Sequence, residues 1–121
     1  MKVVMLEPNK SAYVKEIGND LDSMQEEVDG YIEVIYPFED QYVGLVCNEE
    51  GKLLGMEPNR AIRNEDGDIL DIISGTFFIC GLSSDDFCSL TEEQIAHYSE
   101  LFHCPEAFLW NGRNLVVLQM A

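Results

Sequence analysis

Asn64, Asp66 and Asp68 recur at the alternating spacing of the first oxygen ligands in a calcium loop. That loop needs glycine immediately after its third ligand and a bidentate glutamate to close it. Here Gly67 comes before Asp68 and the closing glutamate is missing, so the stretch reads as a hairpin turn. His97, His103, Cys88 and Cys104 are the remaining candidates for a metal, yet they lack the paired short spacings of a zinc site. The four cysteines form no C-x-x-C, and two lie in or at the edge of apolar runs, as reduced, buried thiols do. Nucleophilic chemistry has no better support. Gly81-Leu82-Ser83-Ser84-Asp85 is not a nucleophile elbow, no glycine loop would cradle a phosphate, and Glu92 and Glu93 point to different sides of a helix. The chain therefore reads as non-enzymatic, with no cofactor and no metal.

Charge is the stronger signal. The 121 residues carry a formal net charge of −16. Eleven acids and no Lys or Arg lie between Glu16 and Gly51, and ten acids and again none between Asn64 and Gly112. Such segregation leaves large surfaces of one sign. Direct binding of nucleic acid is disfavoured, because phosphate recognition needs a basic footprint. An acidic surface can instead compete for a basic site that normally holds nucleic acid, or serve solubility alone. The acids in and around the first helix, Asp22, Glu26, Glu27 and Asp29 with Glu33, Glu39 and Asp40, are the candidates for contact with a basic partner. Glu26, Glu27 and Asp29 lie where a helix dipole is negative, a cost of about 0.3–1 kcal/mol each that helix stability does not explain.

The bases cluster as well. Lys52, Arg60 and Arg63 are three of seven cations within a dozen residues, and with Asn59 they define an alternative: a pocket for a nucleotide-like anion gripped by a guanidinium fork. Pairing with neighbouring acids is the plainer reading of the same residues. A purely structural interaction domain is a third.

These residues need elements to position them. A chain of this length makes one domain, burying roughly 65% of its unfolded surface. Lys2 to Leu6 predicts a central strand, and Ala12 to Ile17 a short strand or extended segment. A helix opens at Asn19 as its cap, presents Leu21, Met24 and Val28 on one face, and stops at Gly30. Tyr31 to Tyr36 alternates as a half-buried strand, and Tyr42 to Cys47 is the next. Asn48-Glu49-Glu50-Gly51-Lys52-Leu53-Leu54 and Asn64-Glu65-Asp66-Gly67-Asp68-Ile69-Leu70 repeat one phrase, a polar turn ending in glycine before an apolar strand. Thr76 to Cys80 is apolar throughout and predicts a strand covered on both faces, with these strands antiparallel neighbours. Thr91-Glu92-Glu93-Gln94 is a capping box with Leu90 and Ile95 as staple, opening a helix whose buried stripe is Ile95, Tyr98, Leu101 and Phe102. Asn111-Gly112 predicts a two-residue turn between Ala107 to Trp110 and Arg113 to Leu118. The expected fold is a single α+β domain, a mainly antiparallel sheet of about six to eight strands with two helices.

Several of these stretches resemble a known family. They are Glu7-Pro8-Asn9-Lys10 with Tyr13-Val14, Val28-Asp29-Gly30-Tyr31-Ile32-Glu33, Asn48 to Gly55 with Asn59-Arg60-Ala61, and Asp71 to Ile79. The chain is similar there to domain-of-unknown-function family 3846, small proteins of phages, plasmids and conjugative elements. Asn9 and Asp29 stand where that pattern has glycine. The resemblance carries no catalytic residue. It implies a mobile-element setting near antirestriction genes, whose known products are acidic DNA mimics. Charge and resemblance together lead to an anti-defence accessory protein that blocks a basic host nuclease. The start of the chain has no signal-peptide pattern and no run long enough to span a membrane, so a cytosolic location is expected.

Overall fold

The computed structural model describes residues 1–119. The chain order is β1 (Lys2–Leu6), β2 (Tyr13–Glu16), α1 (Leu21–Val28), β3 (Ile32–Ile35), β4 (Val43–Asn48), β5 (Pro58–Arg63), β6 (Ile69–Ser74), β7 (Phe77–Leu82), β8 (Phe87–Cys88), α2 (Glu92–Leu101), β9 (Glu106–Trp110) and β10 (Leu115–Gln119). The fold is α+β and its pairings are antiparallel, with ten strands among the described residues where six to eight were expected. A six-stranded sheet runs β2-β1-β7-β4-β3, with β8 continuing on β7. Two ribbons stand apart from it, β5–β6 and β9–β10.

The apolar runs of β1, β4 and β7 are continuous because the sheet is covered on both faces. Successive side chains alternate: Val4, Leu6, Leu45, Phe77 and Ile79 enter one core, and Val3, Met5, Val46, Phe78 and Cys80 the other. Met24 and Val28 of α1 close the second core. The first is closed by Tyr98 of α2 and Phe102 at its C-cap, together with Ile62 and Ile73 of the β5–β6 ribbon. Phe102 stands edge-on to Phe77, with ring centroids 6.2 Å apart. The result is three layers.

Several expectations need correction. Asp20, not Asn19, caps α1, its carboxylate accepting from Ser23 N at 3.1 Å, while Asn19 reaches across to Asp86. The left-handed stop falls on Asp29 (φ 58°), one residue before the expected glycine; Asp is among the few side chains that tolerate this region. Leu21 and Leu101, expected in buried stripes, are exposed. Lys52 to Leu54 form no strand: β4 ends at Asn48, and residues 51–55 make a tight turn with Leu53 in solvent. Gly51 is required there by contact rather than by φ, because a Cβ would lie 2.7 Å from Ser74 O. The second copy of the phrase does form a hairpin turn, with Gly67 at φ 84°. β6 and β7 are not neighbours, since Gly75 (φ 82°) swings the chain from the ribbon into the sheet. The last turn spans four residues, Asn111 to Asn114, rather than two.

Candidate functional site

The seven singled-out acids fall on opposite sides of the sheet. Asp22, Glu26 and Asp29 are exposed on α1, and Glu27 beside them is tied to Lys15 at 2.8 Å. Glu33 lies on the other face, because it pairs in register with Cys47, whose side chain enters the core beneath α2 and the β5–β6 ribbon. Glu39 and Asp40 belong to that side too, in the loop that packs Phe38 against Tyr98 at 4.7 Å. One partner surface cannot meet all seven at once.

On the α2 side the loop after β3, the tip of the β5–β6 ribbon and the first turns of α2 enclose a groove of about 850 Å³. It is lined by the acids Glu39, Asp40, Glu65, Asp66 and Glu93 and by Phe38, Leu70, His97 and Tyr98, of which Leu70 is exposed and Tyr98 buried. Glu39 and Glu65 come into hydrogen-bonding contact, and that contact, followed by their charge repulsion, raises the Glu39 carboxyl above its usual range. Two carboxylates pressed together favour keeping one proton. Asp40 has a local task as well, accepting from Tyr42 N at 2.9 Å and from Gln94 Nε2 at 3.1 Å. Burial, then Asp40, pushes the Tyr98 phenol up. Arg63 reaches the groove but does not neutralise it: its guanidinium is held by Glu106, at 2.8 Å from Nη2. Glu65, Asp66 and Glu93 are groove residues that sequence reasoning missed, since it saw them only as a turn and a helix start. Their acidity at two element ends was the available signal; their convergence with Glu39 is a product of tertiary packing.

Of the residues expected to grip an anion, Arg60 and Arg63 line a common cavity of about 250 Å³, and Lys52 lies elsewhere. Asn59 and Arg60 are fully buried. Asn59 Nδ2 donates to Leu6 O at 2.7 Å and Gly75 O at 2.9 Å, tying the ribbon to β1. The Arg60 guanidinium makes five hydrogen bonds, to Phe102 O twice, Asn59 O, Asn59 Oδ1 and Lys10 O. No N–H of Arg60 is left for a ligand. Lys52 lies in a separate depression, paired with Asp71. In the calcium-like triad the Asn64 oxygen is committed, since Oδ1 accepts from Asp66 N and Asp68 N within its own turn. Burial pushes the thiols of Cys47 to about 11 and Cys80 to about 12, and all four cysteines are free.

Five of the seven cations are thereby taken up, four in ion pairs and Arg60 in the interior, whereas four of the 23 acids have a cationic partner among the described residues. Fold and surface define an acidic α+β domain whose concave surfaces are lined by carboxylates. The family model "Domain of unknown function (DUF3846)" matches residues 1–103, and the chain belongs to that family. No curated protein and no solved structure matches it. No helix among the described residues is long and apolar enough to cross a membrane.

Proposed function

We propose that this protein is a non-enzymatic binding module of a mobile element that uses the acidic groove to occupy a basic, nucleic-acid-binding surface of a host defence protein. The observation that carries the reading is the groove itself: five carboxylates line it together with Phe38 and Leu70, and the one arginine present is held by Glu106. A cleft lined by one sign of charge focuses its field and speeds capture of an oppositely charged partner. Lys or Arg side chains would enter beside Glu39 and Glu65 and lay their stems on Phe38 and Leu70. The exposed acids of α1 form a second, separate negative face that would steer approach without joining the same contact.

The test is restriction escape. Unmodified plasmid is transformed into restricting hosts expressing the native protein, a groove variant (Glu39→Gln, Glu65→Gln, Asp66→Asn, Glu93→Gln) or an α1 variant (Asp22→Asn, Glu26→Gln, Asp29→Asn). The native chain should protect, the folded groove variant should not, and the α1 variant should retain most protection. Absence of protection across several restriction backgrounds refutes the anti-defence reading. Loss only in the α1 variant moves the contact to the other face.

A further inference from the structure

The β9–β10 ribbon lies beyond residue 103, where the family match ends. Glu106 roots it to β5, accepting from Ala61 N at 3.0 Å and pairing with Arg63. Along the ribbon, Leu109 faces Val116 and Ala107 faces Leu118, so these four share one side. Leu109 is 56% exposed and Leu118 47%. An isolated two-stranded ribbon is marginal in water and gains stability only by packing a face. Its other side, with Phe108, Leu115 and Val117, is half-buried except at Trp110 near the tip, which is 68% exposed.

We infer that this apolar face is a self-association surface that seals against the same face of a second copy of the chain. Charge identifies the occupant. Residues 107–119 hold a single charge, Arg113, in a chain of net charge −16. Two such chains repel each other over most of their surfaces and can approach closely where their own acids are absent. A basic partner would be drawn to the acidic faces and would gain nothing electrostatic from a neutral ribbon. Packing one patch on itself about a two-fold axis also closes the assembly at two copies. In a tip-to-base arrangement, each Arg113, which has no ion-pair partner among the described residues, meets the acidic body of the other copy. The patch is small beside the roughly 1,200 Å² of a standard interface, so the dimer is reversible, with a dissociation constant on the order of 10–100 μM.

Light scattering coupled to size exclusion, over a concentration series spanning that range, tests the inference. The native protein should shift from monomer to dimer mass and stop there. Val116→Lys and Leu118→Lys should each hold it monomeric with unchanged thermal unfolding, because neither residue belongs to either core. Leu53→Lys, at the exposed turn away from the ribbon, should dimerise as the native chain does. Arg113→Glu should weaken the dimer at low salt and recover at high salt. A native chain that stays monomeric at the highest concentration overturns the inference. So does a dimer that survives both ribbon lysines, or growth past two copies.

Discussion

Replacing Arg60 tests whether the most prominent cation of the sequence is an anchor for the fold or for a ligand. Its five hydrogen bonds end on four acceptors: Phe102 O, Lys10 O, Asn59 O and Asn59 Oδ1. They join the β5–β6 ribbon to the end of α2 and to the loop after β1. Arg60→Ala leaves those acceptors without their donors in a dry interior. At about 1 kcal/mol net for each acceptor, the loss is about 4 kcal/mol, a large share of the ~5–15 kcal/mol that stabilises a domain. Relief of guanidinium desolvation opposes this, since burial already lowers the Arg60 pKa, and the cavity left by truncation adds to it. Arg60→Lys keeps the charge but not the fork, and one ammonium cannot serve acceptors on three segments, so most of the loss should remain. Urea and thermal unfolding of the ligand-free protein, followed by circular dichroism, should show a midpoint lower by roughly 15 °C for Arg60→Ala. A change under about 1 kcal/mol would refute the reasoning and return Arg60 to the role of a ligand anchor.

Gly75→Ala should destabilise by more than about 1 kcal/mol in the same melts, because φ is 82° and the new Cβ would stand 2.7 Å from Met56 Sδ; Gly67→Ala, with open space around it, should lose only the backbone part. Glu39, whose pKa Glu65 raises from its ordinary value, keeps its proton to a higher pH in the folded state than in the unfolded chain. Its contribution is therefore present at low pH and lost as pH rises through the raised value. Native stability should decline across the window just above the ordinary carboxylate pKa, and Glu65→Gln should flatten that decline; an unchanged profile would show the two carboxyls to be uncoupled. Glu26→Lys puts a cation into the last turn of α1, which has none, and should add about 0.3–1 kcal/mol in chemical unfolding while weakening long-range attraction to a basic partner at low salt.

The local signals that proved reliable are those whose partners lie within a few residues. The Thr91 capping box forms as its spacing requires, with Gln94 N on Thr91 Oγ1 at 3.2 Å and Thr91 N on Gln94 Oε1 at 2.8 Å. The Gly67 hairpin and the Gly75 break are likewise legible, because a positive φ is a property of the residue itself. The continuous apolarity of Phe77 to Cys80 announced a strand covered on both faces, and it lies between β1 and β4.

The repeated phrase marks where this reasoning stops. Both asparagines turn their amide oxygen onto their own loop, Asn64 to Asp66 N and Asp68 N and Asn48 to Glu50 N, but Asn48 also donates its amide N–H to Val28 O and Asp29 O at the end of α1, and there a strand ends instead of a hairpin forming. The two segments are nearly the same in chemistry and differ in which surface lies next to them. The functional residues divide in the same way. That the chain is acidic, short of free cations and built as an α+β domain follows from composition and periodicity, which are summed over the sequence. That Glu39 meets Glu65 and Glu93 across a groove, that Arg60 faces inward and that the α1 acids lie on the far side of the sheet depend on how three layers stack. Those choices are made by the alternation of side chains across the sheet and by long-range hydrogen bonds such as Asn59 to Leu6, whose partners no local spacing identifies.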